Sequence, residues 1–538
     1  MYKVDLSAPQ NRVFPRILQQ QAQHNGATGF LLTDRQRITF AQADDISSRL
    51  ATGLQSLGVG PGDRVCLYLG NCPEFVLLTL AINKLGAVWV PVNTDYKGEW
   101  LLDTIERSRP MMLITDSGVV DRVQALREKL DIARWVLLAD TDVEAAADMH
   151  SYHALAGSEP LLSDYSEQGC GDTCAILWTS GTTGKSKGVM QNSNGWIRAI
   201  DQGASPMFAS QPGDVIYCAL PLFNTGAWIT SIYRALLEGI PCVIEPKFSV
   251  HNFWQRVALF RATQTFLIGA MGVFLWNAPA QADDAETSLR TAMIVPFPPD
   301  LWTAFEQRFG LNILTAGLGM SECQLVANQL GASAEIPPYA LGYPPEDIEL
   351  RLCDDEGNEV AVGEAGEMCV KPLVPHVLFN GYFDNEEGTR AAFRGDWFLT
   401  GDMARQDPAT GALFFVDRKK DAVRFAGRNI STLEVEGVFR RHPAVGDVAA
   451  FGIPSAEIES EDELKVNVVL KEGETATAED LCRFVNENAP HYFVPRYLEF
   501  VESLPYTPTN KVQKYKLREQ GVPASCWDRK TSGFKVQR

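Results

Sequence analysis

The chain has 538 residues, which is enough for two or more domains with hydrophobic cores of their own. Its net charge of −19 makes nucleic acid or an anionic membrane surface an unfavourable partner, so an anionic ligand would have to be held by local groups. The 11 cysteines are scattered, and no histidine lies near either close pair, Cys66 with Cys72 or Cys170 with Cys174. We therefore expect reduced thiols in the cytoplasm and no zinc site.

The N-terminal residues lack the apolar core of a secretory signal. The most apolar stretch, residues 75–92, is interrupted by Asn83, Lys84 and Gly86, which indicates a buried helix followed by a strand. These features predict a soluble protein without a membrane span.

Helices and strands alternate along the first four hundred residues. Thr39 and Gln42 form a capping-box pattern, and apolar residues follow at helical spacing from Ile46 to Leu57. The next predicted elements are a strand at 65–69, a helix at 73–85, and strands at 87–92, 111–115, 215–220 and 241–244. Strands that alternate with helices predict an α/β fold, in which the sheets are largely parallel and covered by helices.

The character of the chain changes at the charged run DRKKD, residues 417–421. The elements predicted beyond it are a helix at 431–441, strands at 449–453 and 464–470, and a helix at 477–489. A region of this size and mixture indicates a small α+β domain. We place the boundary at residue 420, with a large N-terminal domain at 1–419 and a small, mobile C-terminal domain at 420–538.

The stretch WTSGTTGKSKGV, residues 178–189, has the composition of a phosphate-binding loop. Glycines let backbone N–H groups point into one concavity, while hydroxyls and lysine add donors and positive charge. Only Thr182 and Thr183 separate Gly181 from Gly184, whereas a Walker loop has four residues between its glycines. The loop therefore suits a polyphosphate, but a kinase or P-loop ATPase is disfavoured.

Five further motifs follow this loop in order. They are GMSE at 319–322, GE at 366–367, WFLTGD at 397–402, DRKKD at 417–421 and PYTPTNK at 505–511. The ordered set resembles the adenylate-forming superfamily of acyl-CoA synthetases, adenylation domains and luciferases, over nearly the whole chain. The stretches PVNTDYKGEWL at 91–101 and LFNGYFDNEEGT at 378–389 resemble the crotonobetaine/carnitine-CoA ligase-like group more narrowly.

The resemblance implies a two-step ligase that uses ATP, Mg²⁺ and coenzyme A. Lys511, Glu322 and Thr179 would be catalytic, with Glu322 holding the metal ion and Lys511 bridging the carboxylate and the α-phosphate. Lys187 could either contact phosphate or be an ordinary surface lysine. The residues expected to bind ATP are Thr179, Ser180, Gly181, Thr182, Thr183, Gly184, Lys185, Gly317, Leu318, Ser321, Asp402 and Arg418.

The resemblance also implies a second conformation for thioester formation. Lys420 holds the family's hinge position, about which the small domain would rotate, and Gly427 would then line the channel for pantetheine. The candidate acyl pocket consists of Asn224, Thr225, Gly226, Trp228, Ala270, Met271 and Cys323, together with Gly317 and Leu318 of the nucleotide site. This mixture favours a short or ring-sized acid over a long fatty chain.

Several positions depart from the family pattern. Leu318 replaces the tyrosine whose ring stacks on adenine, and Met293-Ile294-Val295 replaces a run of small residues beside adenine and the acyl group. Asn224 follows the PLF motif where an aromatic residue or histidine is typical, and Asn510 replaces a glycine in the last motif. These changes predict a reshaped acyl pocket.

Taken singly, the key residues also have ordinary structural explanations. Glu322 could be a solvated helix residue, Asp402 a turn former after Gly401, Lys511 a surface lysine, and Trp228 and Met271 core residues. The functional alternatives are an enzyme that loads a carrier protein and a binding protein that has lost catalysis. The sequence does not identify the acid. It also leaves the oligomeric state open, and a homodimer is one possibility.

Overall fold

The structure, a computed structural model, describes residues 2–139, 149–179, 186–314, 317–330, 339–419, 423–425, 428–455, 462–489, 491–506 and 512–536. Its backbone contacts divide the described residues into two compact units. The first comprises the described residues of 2–179, 186–349 and 372–391, and the second those of 350–371 and 392–536. The boundary expected at residue 420 stays a prediction, since that residue lies outside the described ones.

The first unit contains a seven-stranded sheet that carries the phosphate-loop motif. Its strands, in spatial order, are His150–Ser151, Arg134–Leu138, Met112–Asp116, Arg64–Tyr68, Val88–Pro91, Thr173–Thr179 and Lys187–Asn192. All neighbours are parallel except the last two, which form an antiparallel pair. The expected strands at 65–69, 87–92 and 111–115 are thus present, and they are parallel as the alternation with helices predicts.

A second seven-stranded sheet in the same unit is also largely parallel. Its strands, in spatial order, are Asn312–Leu314, Thr291–Val295, Gln264–Ile268, Ile216–Cys218, Cys242–Ile244, Gly29–Leu32 and Arg37–Thr39. Only the pair Gly29–Leu32 and Arg37–Thr39 is antiparallel. The strand expected at 215–220 is shorter than predicted, because the chain leaves the sheet ahead of Pro221.

Helices accompany both sheets. The α-helices of this unit are Phe14–Asn25, Phe40–Ser56, Pro73–Lys84, Gly98–Ser108, Val120–Gln124, Tyr152–Ala156, Ser193–Ala199, Ser205–Phe208, Thr225–Ala227, Tyr233–Glu238, Phe253–Phe260, Gly269–Asn277, Pro299–Phe309 and Glu386–Ala391. The capping box is confirmed, since Thr39 Oγ1 accepts from the Gln42 N–H and the Gln42 side chain accepts from the Thr39 N–H. Helix Pro73–Lys84 is buried along nearly its whole length, as its apolar sequence predicts. Within the described ranges, none of the helices combines the length and apolarity that crossing a membrane requires.

The second unit begins with an antiparallel sheet. Strand Trp397–Gln406 pairs with Ala365–Pro372, Phe393–Arg394 and Leu413–Arg418, and Ile348–Cys353 flanks Ala365–Pro372. The C-terminal part has strands Val423–Phe425 and Arg428–Ile430 and a four-stranded sheet of Val445–Pro454, Asp462–Leu470, Tyr497–Phe500 and Trp527–Asp528. Its helices are Thr432–Arg440, Ala478–Asn488, Lys514–Glu519 and Arg529–Ser532. The small α+β domain expected at the C-terminus is therefore confirmed.

Candidate active site

The two ends of the phosphate loop lie opposite each other on a hairpin. Thr179 ends a parallel strand and pairs with Lys187 on the next strand, and its Oγ1 donates to the Lys187 carbonyl over 3.3 Å. The loop residues Ser180, Gly181, Thr182, Thr183, Gly184 and Lys185 lie outside the described residues, so their roles stay predictions. A loop at the carboxyl end of a parallel strand is where α/β proteins place ligands.

Arg107 holds the residue that directly follows this loop. Its guanidinium donates to the Ser186 carbonyl over 2.7 Å and to Ser186 Oγ over 3.3 Å, and it lies on the Trp178 ring, 4.5 Å from the centroid. Trp178 in turn donates its indole N–H to Ser108 Oγ over 2.7 Å. These contacts fix the base of the loop from a neighbouring helix, and no sequence motif singled out Arg107.

Gly317 and Leu318 open a tight turn that runs to Asn328. The Leu318 N–H donates to the Ala327 carbonyl over 2.8 Å, and the Val326 N–H donates back to Leu318 over 2.7 Å. A β-carbon on Gly317 would collide with the Ala327 carbonyl oxygen. Glycine is therefore required there by the close approach of two backbones.

Glu322 lies in this turn and is held by its backbone and by its side chain. Its Oε1 accepts a hydrogen bond from the Tyr382 hydroxyl over 2.8 Å, and its carbonyl accepts from the Phe379 N–H over 2.9 Å. The neighbouring Ser321 carbonyl accepts from the Gln191 amide over 3.1 Å. Glu322 is not in a helix, so the explanation of it as a solvated helix residue is wrong.

A buried ion pair supports the same turn. Arg198 is almost fully buried, donates to both carboxylate oxygens of Asp347 over 2.6 Å, and reaches the Leu325 carbonyl over 2.7 Å. Cys323, the residue after Glu322, is completely buried. Burial raises the pKa of its thiol to about 11. The Cys323 thiol therefore stays protonated at neutral pH. No sequence motif includes Arg198, whose partners are more than a hundred residues away in the chain.

The acyl-pocket candidates follow the carboxyl ends of strands in one sheet. Asn224, Thr225 and Gly226 come after strand Ile216–Cys218 and Ala270 and Met271 come directly after Gln264–Ile268. Gly317 and Leu318 come after Asn312–Leu314 in the same sheet. Because parallel strands end at the same edge of a sheet, this part of the prediction is geometrically consistent.

Trp228 is completely buried, and its ring lies 4.6 Å from that of Trp89. Its indole N–H donates to the Leu222 carbonyl over 2.7 Å. Core packing accounts for these contacts, and a place for Trp228 in the acyl pocket stays a prediction.

Ile294 is buried, and a β-carbon on Gly272 of helix Gly269–Asn277 would crowd its side chain. Successive strand residues point to opposite faces, so Met293 and Val295 face away from Ile294.

Asp402 lies opposite Arg418 in the second unit. The two residues are paired across antiparallel strands, with Arg418 Nε 3.5 Å from Asp402 Oδ1. Asp402 is 5% exposed, and the preceding Gly401 has a φ of 71°, in the left-handed region that favours glycine. The Gly401 N–H donates to Glu367 Oε1 over 2.9 Å, which fixes the start of this turn.

Lys420, Gly427 and Lys511 lie outside the described residues, but their neighbours show how the chain is held on both sides of residue 420. Asp417 Oδ2 accepts from the Thr432 N–H over 2.6 Å and from its hydroxyl over 2.7 Å. Lys514 donates to the same hydroxyl over 2.7 Å and pairs with Glu436 over 2.8 Å. Burial raises the pKa of Asp417, against the lowering effect of Lys514 and these hydrogen bonds.

Glu322 is the expected metal ligand. One of its carboxylate oxygens accepts from Tyr382, and within the described residues no donor reaches the other. A carboxylate with one available oxygen fits Mg²⁺, which is commonly held by one or two carboxylates together with substrate phosphates and water. In the part of the chain that the structure describes, no three His, Cys, Asp or Glu side chains gather as a metal-binding group.

Comparisons with known proteins identify the family of the chain. Residues 18–383 match the AMP-binding enzyme family, and residues 434–511 match the AMP-binding enzyme C-terminal domain. A crotonobetaine/carnitine–CoA ligase from Escherichia coli is 30% identical over 488 residues, which cover 90% of this chain and 93% of the relative. The corresponding ligase from Shigella dysenteriae is 29% identical with the same coverage.

Solved structures have the same fold. The anthranilate CoA ligase AuaEII in complex with anthranoyl-AMP has a TM-score of 0.83 and 25% identity, covering 95% of this chain and 97% of that protein. ATP-bound MatB from Rhodopseudomonas palustris has a TM-score of 0.82 and 24% identity, covering 95% and 99%. The chain belongs to the AMP-binding enzyme family and is an acid–thiol ligase within it.

Proposed function

We propose that the protein is an ATP-dependent carboxylate–CoA ligase. In the first step a carboxylate oxygen attacks the α-phosphorus of ATP, the bond to the β-phosphate breaks, and acyl-AMP and pyrophosphate form. In the second step the CoA sulfur attacks the acyl carbon, the bond to AMP breaks, and the thiol proton is released. The observation that carries this proposal is the Glu322 carboxylate, which a glycine-dependent turn and the Tyr382 hydroxyl hold in one orientation.

The first step needs two anions to approach each other. The loop residues from Thr179 to Lys185 would hold the β- and γ-phosphates, and Glu322 would hold Mg²⁺, which when bound offsets charge at the α-phosphate. Asp402 would accept hydrogen bonds from the ribose hydroxyls, with Arg418 beside it. Ser321, Gly317 and Leu318 would complete the nucleotide site. Support comes from the turn, which carries all three of the latter residues with Glu322.

The acid is proposed to be short or ring-sized. The candidate pocket residues follow the ends of three strands of one sheet, and strand Thr291–Val295, with Met293 and Val295 on one face, lies between two of them. The relatives are ligases named for crotonobetaine, carnitine and anthranilate, which are acids of this size. An alternative acceptor in the second step is a separate carrier protein, which would use the same adenylate.

The proposal is tested with the purified full chain. ATP–pyrophosphate exchange over a panel of short, aromatic and fatty acids measures the first step, and mass spectrometry of the thioester with CoA or with a carrier protein measures the second. We expect exchange with a short or ring-sized acid and a thioester on free CoA. If none of the acids supports ATP–pyrophosphate exchange, the adenylation step is contradicted. A thioester found only on the carrier protein would favour the alternative acceptor.

Lys511 provides a half-reaction test of the two-conformation mechanism. An ammonium between the carboxylate and the α-phosphate acts only while the P–O bond forms, so Lys511→Ala should slow adenylation on the order of 10²-fold or more. Thioester formation from synthetic acyl-AMP and CoA should be nearly unchanged, because rotation about Lys420 would carry Lys511 away and present Gly427. An equal loss in both steps would contradict this assignment.

A further inference from the structure

We propose that Tyr382 is a positioning residue that orients the Glu322 carboxylate for the metal ion. The inference rests on the proposed function, since it assumes that Glu322 binds Mg²⁺ during adenylation. The motif around Tyr382 contributed only to a family resemblance, and Tyr382 itself forms no bond in the two reaction steps described above. Three observations about the contacts of Tyr382 support the proposal.

The first observation is a double contact with Glu322. The Tyr382 hydroxyl donates to Oε1 over 2.8 Å, and the N–H of Phe379, three residues earlier, donates to the Glu322 carbonyl over 2.9 Å. One short segment therefore holds both the backbone and the side chain of Glu322. Oε1 accepts from the hydroxyl, and the other oxygen, which no donor among the described residues contacts, can bind a cation.

The second observation is that Tyr382 is itself rigidly held. It is 6% exposed, its N–H donates to Thr389 Oγ1 over 2.9 Å, and its ring lies 4.9 Å from that of Phe379. These contacts fix the position from which the hydroxyl donates to Glu322.

The third observation connects Tyr382 to the strand that follows the phosphate loop. Residues 380–383 lie along strand Lys187–Asn192, where Asn380 N–H donates to Met190, Met190 N–H to Gly381, and Phe383 N–H to Gly188, over 2.8–3.0 Å. Lys187, the first residue of that strand, places its ammonium 4.4 Å from the centroid of the Tyr382 ring. Tyr382 thus connects the Glu322 carboxylate to strand Lys187–Asn192, which starts just after the phosphate loop.

Tyr382→Phe separates these contributions, because it removes the hydroxyl and keeps the ring beneath Lys187. The Glu322 carboxylate would then lose its charge-assisted hydrogen bond and sample other rotamers. We expect the apparent KM for Mg²⁺ at saturating ATP to rise on the order of 10-fold. We expect kcat at saturating Mg²⁺ to fall less than the KM rises.

Equilibrium binding gives a readout that does not depend on turnover. Mn²⁺ binding in the presence of ATP, followed by electron paramagnetic resonance, should weaken by a similar factor in Tyr382→Phe. Tyr152→Phe is the matched control, since Tyr152 is also buried and its hydroxyl makes no hydrogen bond with the described residues. Circular dichroism and a thermal melt establish that both variants are folded.

A double-mutant cycle with Glu322→Gln distinguishes positioning from general structural support. If Tyr382 acts through the carboxylate, the effect of Tyr382→Phe on Mn²⁺ binding should disappear in the Glu322→Gln background. An undiminished effect there, or unchanged metal dependence in Tyr382→Phe alone, would overturn the proposal. Failure of the wild-type protein to adenylate any acid would instead contradict the proposed function, while the Mn²⁺ binding cycle would still test Tyr382.

Discussion

The carboxylates of Glu322 and Asp402 are both expected to serve the nucleotide, yet they are held in opposite ways. The turn that carries Glu322 is fixed by Gln191, Arg198 and Tyr382, which come from two parts of the chain that are far from the turn in sequence. Asp402 is fixed by its neighbour Gly401 and by Arg418, sixteen residues later on the adjacent strand. The first site depends on packing between elements far apart in sequence, and the contacts described for the second lie between neighbouring strands of one antiparallel sheet.

This difference predicts different sensitivity to substitution. Replacements far from Glu322 in sequence should disturb its turn, because buried ionic and hydrogen-bonded networks lose the most when one member is removed. Replacements that disturb Asp402 should be confined to the strands that pair beside it. Four experiments test this contrast.

The largest effect is expected for Arg198→Leu. The substitution leaves the Asp347 carboxylate buried without its guanidinium partner and frees the Leu325 carbonyl. We expect the free energy of unfolding to fall by about 3–5 kcal/mol, as measured by urea denaturation. The control is Lys129→Leu, whose exposed ion pair with Glu99 should contribute little. Equal stability of the two variants would contradict the importance of this ion pair for the turn.

Glu322→Ala should produce the next largest effect, on catalysis. Removing the expected metal ligand should lower kcat for adenylation on the order of 10²–10³-fold. Conversion of synthetic acyl-AMP and CoA to the thioester should be nearly spared, as measured by single-turnover kinetics. Glu346→Gln, at an exposed position in the same unit, is the control. Wild-type adenylation by Glu322→Ala would exclude the metal role.

Asp402→Ala should act mainly on ATP binding. Loss of a carboxylate that accepts hydrogen bonds from the ribose hydroxyls should raise the KM for ATP by about 10- to 100-fold, because hydrogen bonds to a charged group are strong. The measurement is ATP–pyrophosphate exchange as a function of ATP concentration. Asp396→Ala, an exposed carboxylate just before the same strand, should leave this KM unchanged. Unchanged ATP kinetics in a folded Asp402→Ala variant would count against the ribose site.

Leu318→Tyr should give the smallest change. A ring stacked on adenine adds about 1 kcal/mol, so the KM for ATP should fall roughly fivefold unless the larger side chain blocks the acyl pocket. Leu318→Met, which has a similar volume and no ring, should not show the gain. If neither the ATP affinity nor the ranking of acids by kcat/KM changes in Leu318→Tyr, then Leu318 does not line the site.

Local sequence patterns predicted the fold well. The Thr39 capping box and the alternating strands and helices involve residues close in sequence, where spacing carries the information. The nucleotide roles of Asp402 and Arg418 stay predictions. The contacts of Tyr382, Arg198 and Arg107 join residues about 60 to 150 positions apart. No spacing rule identifies such partners, because only the packed sheets bring them together. The opposite orientations of Ile294 and Met293 were also missed, although strand alternation alone predicts them.

The backbone pairing of residues 380–383 has a consequence for solubility. Strand Lys187–Asn192 ends its sheet, and an uncovered end strand presents N–H and C=O groups that can recruit a strand from another molecule. Three backbone hydrogen bonds from residues 380–383 occupy that edge. Gly381, with a φ of 97°, supplies the left-handed conformation needed to follow it. The segment that carries Tyr382 therefore also covers the strand edge at which another molecule could pair, which disfavours edge-to-edge aggregation.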